Sequence, residues 1–176
     1  AAGNVGLAAV ELGKVLGARV IAVASTPEKL ELCRERGADE VINYTTEDLK
    51  LRAKELTGGQ GVDVIYDAVG GDYAEAALRA MAWNGRFLVI GFTAGIPKVP
   101  LNLTLLKSCQ IVGVFFGALV AKEPETHISI QNDLLELVAE GKLKPYVSKR
   151  YTLDEAPQAL ADLQARRATG KLIVAP

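Results

Sequence analysis

Ala1-Ala2-Gly3-Asn4-Val5-Gly6 opens the sequence and leads without a break into a helical pattern. Val5, Ala8, Ala9, Leu12 and Leu16 recur at helical spacing, so this stripe is expected to face a core, with Glu11 and Lys14 off it. A glycine-rich turn therefore enters a helix. Gly3 lacks the side chain that would keep a pyrophosphate off the backbone, and Gly6 lets the first helical turn press against a neighbouring strand. The N–H groups and positive dipole end of such a helix suit an anion, and two linked phosphates suit them well.

Read as G-x-G-x-x-G, the stretch has Ala1 in the first glycine's place, and the strand that normally precedes the motif is not in the sequence. The glycines alone also fit a tight turn that happens to enter a helix. The downstream residues decide between the two.

With 176 residues, 49% of them hydrophobic, and 17 glycines, the chain can bury the core of a compact α/β protein. Twenty basic against 21 acidic residues leave a net charge of −1, and no basic run is longer than Arg166-Arg167. Neither nucleic acid nor an anionic membrane is expected as the main partner. No signal peptide is recognised and no apolar run approaches the roughly twenty residues that cross a bilayer, so a cytoplasmic location is expected. Cys33, Cys109 and His127 lack metal-ligand spacing, so no zinc site is expected from this chain. Cys33 on an apolar helical stripe and Cys109 at a strand start read as small buried thiols. His127 reads as a solvated residue near a helix start.

Downstream, strands alternate with helices. Gly17 stops the first helix, and Val20-Ile21-Ala22-Val23 reads as a buried strand ending at Ala24. Thr26-Pro27-Glu28 supplies a cap, a first-turn proline and an early acid for a helix that runs to about Arg36 and ends at Gly37. A short strand at Val41 to Asn43 precedes a capped start at Thr45-Thr46-Glu47-Asp48 and a helix ending at Gly58-Gly59. Val62 to Asp67 is a strand, Asp72 caps a helix to about Trp83, and Asn84-Gly85 turns the chain into the strand Arg86 to Ile90. Such alternation predicts right-handed crossovers and a parallel sheet. Ligands of these sheets lie beyond the carboxyl ends of the strands, so Ala24-Ser25, Asn43-Tyr44, Ala68-Val69 and Gly91-Phe92 are expected to line one crevice.

Thr93 to Leu101 reads as an irregular crossing and Thr104 to Ser108 as a helical turn. Ile111 to Phe116 is a very apolar strand candidate, either at an edge open to a second copy or covered by the helix from His127 to Ala139, which ends at Gly141. From Lys142 the character changes to a strand at Tyr146 to Tyr151, a helix at Asp154 to Arg166 and a final strand at Lys171 to Val174.

The nucleotide preference is read at the second strand's end. An acid there would bind a ribose 2′-hydroxyl, but the position holds Ala24-Ser25, with no acid before Glu28. Lys29 falls in the first turn of the next helix, where the dipole disfavours a cation unless an anion binds nearby. Ser25, Lys29 and, from the next strand end, Tyr44 would suit a 2′-phosphorylated adenosine, so NADP is favoured over NAD. Otherwise Lys29 is a surface lysine paired with Glu28 or Glu31.

The run from Ala1 to Ala22, Arg-Gly-Ala-Asp-Glu-Val-Ile-Asn-Tyr at Arg36 to Tyr44, Val62 to Gly71, and Arg-Arg-Ala-Thr-Gly-Lys-Leu-Ile-Val at Arg166 to Val174 together resemble the cofactor domain of the medium-chain dehydrogenase/reductase superfamily. The likeness is to its zinc-free NADPH:quinone oxidoreductase, ζ-crystallin-like branch. The resemblance implies a Rossmann-type doubly wound parallel sheet over residues 1–141, lacking its first strand, and a return segment, residues 142–176, that packs on a GroES-like catalytic domain. It implies NADP(H) as cofactor, with hydride delivered to a quinone or an α,β-unsaturated carbonyl. It places the phosphate turn at Ala2, Gly3, Asn4, Val5 and Gly6, and the 2′-phosphate contacts at Ser25, Lys29 and Tyr44. The nicotinamide side falls near Val69, Ile90, Gly91 and Phe92, with Phe115 and Phe116 approaching the ring, and the 111–116 strand pairs across a homodimer.

The GroES-like domain and the central strand of a 3-2-1-4-5-6 order are not in this sequence, so a fragment of a longer product, or a gap filled by another chain, is expected. Asn4 stands where the branch often has glycine and is expected to tolerate left-handed geometry. Two other functions fit the residues: the cofactor part of a zinc-dependent alcohol dehydrogenase whose ligands lie elsewhere, and a nucleotide-binding, dimer-forming module without turnover of its own. No catalytic side chain is assigned, since the cofactor carries the chemistry.

Overall fold

The computed structural model describes residues 1–165 and 168–176, so the Arg166-Arg167 run and the expected end of the last helix at Arg166 lie outside the described residues. Two compact units form, one from Ala1–Asn43 with Glu136–Pro176 and one from Tyr44–Leu135.

The first unit begins with α1 (Asn4–Val15), β1 (Ile21–Ala24), α2 (Pro27–Glu35) and β2 (Glu40–Asn43). Gly17, at φ 83°, ends α1, and Gly37, at φ 107°, ends α2. Thr26 caps α2 by accepting the Lys29 N–H at 3.3 Å, with Pro27 behind it as the sequence predicts. β1 and β2 are parallel, in register from Ile21↔Glu40 to Ala24↔Asn43. The buried face of α1 differs from the expected stripe. Leu7, Val10 and Glu11 are buried, whereas Val5 is 49% and Leu16 78% exposed. The helix is apolar around most of its circumference, so spacing alone does not choose a face. Glu11 chooses it, because Arg36 draws its carboxylate inward through an Nε–H donated at 2.6 Å.

The second unit holds α3 (Leu49–Leu56), β3 (Val62–Asp67), α4 (Tyr73–Ala80), β4 (Met81–Val89), α5 (Asn102–Lys107), β5 (Gln110–Gly113), α6 (Phe116–Lys122) and the start of α7 (Pro124–Ala139). Asp48 caps α3 by accepting the Leu51 N–H at 2.8 Å. β3, β4 and β5 form a parallel sheet in that order. Three expectations are corrected. The helix after Asp72 stops at Ala80 and not near Trp83, because Met81 turns extended and pairs with Val62. Asn84-Gly85 therefore lies inside β4, with Asn84 at φ 59°. The apolar strand ends at Gly113: its partner β4 finishes at Val89, whose carbonyl accepts the Val114 N–H, and Phe115-Phe116 turn into α6.

α7 begins at Pro124, three residues before the expected start, in keeping with the preference for proline in a first turn. His127 is half-buried and not solvated: its ring meets that of Phe116 edge-on at 5.3 Å, and its Nδ1 has no hydrogen-bond partner.

The return segment adds β6 (Val147–Thr152), α8 (Ala156–Gln164) and β7 (Lys171–Ala175) to the first unit, with β6 and β7 parallel. Among the described residues, β1 pairs with one strand and β3 with one strand. Each unit has its own core, Leu7, Val10, Leu32 and Cys33 in the first and Leu78, Met81, Phe87 and Leu103 in the second. Both cysteines are buried as expected, and burial pushes the Cys33 thiol up.

Candidate functional site

Gly3 is the N-cap of α1 at φ −75° and ψ 169°, with no side-chain cap and no acid in the first turn. Its conformation suits any residue, so its value lies in the space around it. A Cβ on Gly3 would meet nothing within 4 Å, whereas one on Gly6 would strike the Ala1 carbonyl oxygen at 2.5 Å. Gly3 thus leaves the helix start open in front, and Gly6 lets the helix abut the backbone of Ala1. The turn is anchored from behind. Ala2 is 3% exposed, the Ala1 nitrogen donates to the Val23 carbonyl, and the Gly170 N–H donates to the Ala2 carbonyl at 2.9 Å. Asn4 is helical and not left-handed; its Oδ1 accepts from Lys171 Nζ at 2.7 Å.

Beside this turn β1 ends at Ala24 and passes through Ser25 into the capped start of α2, which carries Glu28 and Lys29. An open groove of about 580 Å³ runs along α2, lined by Thr26, Glu28, Lys29, Glu31, Leu32, Glu35, Tyr146 and Thr169. Hydrogen bonds from its own backbone and from the Thr26 hydroxyl hold the Glu28 carboxyl below its usual range. Glu28, Glu31 and Glu35 line this groove together with Lys29, and the Glu28 carboxylate lies at its Thr26 end.

In the second unit the loops after β3 and β4 are joined through Asp67. Its Oδ1 accepts the N–H groups of Val69 at 2.9 Å and Gly70 at 3.0 Å, and its carbonyl accepts those of Ile90 at 2.8 Å and Gly91 at 3.3 Å. The Ala94 N–H donates to the Val69 carbonyl and the Gly71 N–H to the Gly95 carbonyl, both at 2.8 Å. A Cβ on Gly70 would lie 2.6 Å from the Gly95 oxygen and one on Gly71 2.8 Å from the Ala94 oxygen, so only glycines allow the two loops to close on each other. Val69, Ile90, Gly91 and Phe92 are thereby brought together at the carboxyl ends of their strands. Phe115 and Phe116, 79% and 58% exposed, follow the end of β5. Tyr44 stacks obliquely on Tyr73, ring centroids 4.8 Å apart.

Sequence reading missed Asp67 and Lys171. An aspartate followed two residues later by Val-Gly-Gly is a turn signal that was available. Lys171 had none, since 167 positions separate it from Asn4.

A glycine turn opening an uncapped helix that leads into a parallel strand pair is the pattern of the dinucleotide-binding class of α/β proteins. A family model described as zinc-binding dehydrogenase matches residues 4–137. The chain belongs to the zinc-binding dehydrogenase family, within the medium-chain dehydrogenase/reductase superfamily. It is 42% identical over 177 residues to a quinone oxidoreductase-like protein 2 homolog of Nematostella vectensis, covering 99% of this chain and 48% of that protein. It is 36% identical to a quinone oxidoreductase of Pseudomonas aeruginosa, covering 100% of this chain and 54% of that one. Escherichia coli quinone oxidoreductase, solved in complex with NADPH, superposes with a TM-score of 0.88 at 34% identity, over 99% of this chain and 55% of that chain. The chain thus spans about half the length of these relatives. Among the described residues, no His, Cys, Asp and Glu cluster could hold a metal ion and no helix is long and apolar enough to cross a membrane.

Proposed function

We propose that this chain is the cofactor-binding part of an NADPH-dependent oxidoreductase that reduces quinones or α,β-unsaturated carbonyls. The observation that carries the reading is the open, uncapped start of α1, where a Gly3 side chain would stand in the space a diphosphate needs. The bound cofactor supplies the hydride chemistry. This chain's residues bind and orient: Ala2 to Gly6 present N–H groups to the diphosphate, and Ser25, Lys29 and Tyr44 serve the 2′-phosphorylated adenosine. Val69, Ile90, Gly91 and Phe92 form the nicotinamide side. The Val69 carbonyl accepts one internal hydrogen bond and keeps a second lone pair for a carboxamide N–H. Phe115 and Phe116 supply apolar surface near the ring, and β5, which pairs only with β4 among the described strands, offers its other edge to a second copy in a homodimer. Residues 142–176 serve as the segment that packs on a catalytic domain, and the protein works in the cytoplasm. Turnover belongs to the full-length enzyme, and the 176-residue chain alone binds without reducing quinone.

The test is a fluorescence titration of the chain with NADPH and NADH. Tighter NADPH binding is expected, and Lys29→Ala should weaken NADPH about tenfold while leaving NADH within twofold. Equal affinities in the parent chain would remove the roles given to Ser25 and Lys29.

A further inference from the structure

We propose that the second unit holds a binding site for a small phenol: an apolar cavity between α4 and β4 whose single carboxylate, that of Asp67, receives the phenolic O–H. The site uses neither the glycine turn nor the groove along α2, and it stands whether or not a dinucleotide binds.

Size limits the ligand first. The cavity measures about 220 Å³. An apolar cavity of about 150 Å³ already takes up benzene, and drug-sized ligands occupy about 300 Å³ or more, so one ring with a small substituent fits. One wall is packed core: Ala74 and Leu78 of α4, each 1% exposed, and Phe87 of β4, 5% exposed. Phe92 and Pro97, from the loop after β4, line the other side. Gly70 leaves room for them, since a Cβ there would lie 3.2 Å from Phe92 Cδ1 and 3.4 Å from Pro97 Cδ. Ile96, 82% exposed, stands at the rim.

Every other lining side chain is apolar, so Asp67 sets the chemistry. Its Oδ1 already accepts the Val69 and Gly70 N–H groups, at 2.9 and 3.0 Å, whereas no described group donates to Oδ2. A carboxylate oxygen with unused lone pairs at the wall of an apolar cavity calls for a donor. An ammonium would have to shed its water among hydrophobic side chains, and a second carboxylate would meet like charge. A phenol brings an apolar ring and a neutral O–H, and an O–H donated to a carboxylate is worth roughly twice a neutral hydrogen bond.

Backbone amide NMR of the chain titrated with phenol, toluene, benzylamine and benzoate tests the site. Phenol should bind saturably, shift the amides of Ala74, Leu78 and Phe87, and bind about tenfold more tightly than toluene. Benzylamine should bind more weakly than phenol, and benzoate not at all. Asp67→Asn keeps an oxygen for the loop N–H groups but replaces the free oxygen with a donor, and should bring phenol down to the level of toluene. Ala74→Leu, which puts three carbons into the cavity, should weaken both; should it fold poorly, Asp67→Asn carries the test. Saturating NADPH should not displace phenol. Absence of phenol binding, equal affinity for phenol and toluene in the parent chain, tighter binding of benzylamine than of phenol, or displacement of phenol by NADPH would overturn the proposal.

Discussion

At Gly3 to Val5 the backbone is left open toward solvent, and at Asp67 to Gly95 it is closed on itself. The first region offers the N–H groups of an uncapped helix start and leaves the space in front of Gly3 empty of side chains. In the second, the N–H groups of Val69, Gly70, Ile90 and Gly91 all end on Asp67, and paired glycines seal the loops together. An anion needs donors that nothing else has claimed, whereas a flat ring needs a surface that does not move. Under the proposed reading, a diphosphate at the first and a nicotinamide at the second would call for opposite treatments of the same backbone groups.

The largest expected effect tests the scaffold behind the open region. Arg36 holds the buried Glu11, donates to the Lys144 carbonyl and lies 5.6 Å from the centre of the Tyr146 ring, so it ties α1 and α2 to the return segment. Glu11→Ala leaves a half-buried guanidinium without its carboxylate and should cost about 3 kcal/mol in urea unfolding. A loss under about 0.5 kcal/mol, the size of a surface substitution, would mean that other contacts hold the glycine turn.

Asp67→Ala addresses the closed region and should be smaller. Removing the acceptor of two loop N–H groups costs about 1–2 kcal/mol of local order. NADPH should bind several-fold more weakly while 2′-AMP, which lacks a nicotinamide, binds as before, and Asp67→Asn should recover most of the loss. Equal weakening of both ligands would make Asp67 a general stabiliser and erase the contrast.

The smallest effect is electrostatic. Asp39 bonds Lys14 through one oxygen and accepts the Val20 N–H at 2.8 Å through the other, which together hold its carboxyl below the ordinary 3.8. Because the unfolded chain binds the proton more tightly, the contribution is present above about pH 4 and disappears as the pH falls through the lower folded value. Urea midpoints measured from pH 2 to 6 should fall less steeply on the acid side for Asp39→Asn; identical slopes would show that Asp39 stabilises no more than a surface charge.

Local chemistry was legible in the sequence and pairing was not. The caps at Thr26 and Asp48 and the stops at Gly17, Gly37 and Gly141 stand where the residues put them, since each signal acts within a few positions. The start of β4 at Met81 and the departure of Phe115-Phe116 from the sheet depend on where Val62 and Val89 end their ladders, which no neighbouring residue announces. The face of α1 was misread because an almost uniformly apolar helix leaves the decision to one distant arginine. The glycine turn was read from its six residues, yet its anchoring by Gly170 and its cation at Lys171 come from the far end of the chain.

Backbone amide NMR of the 176-residue chain with added NADPH tests the central claim most directly. The account predicts that the N–H resonances of Gly3, Asn4, Val5 and Gly6 shift together, saturably, and that ADP moves the same four. Saturable NADPH binding that leaves those amides where they were would contradict it.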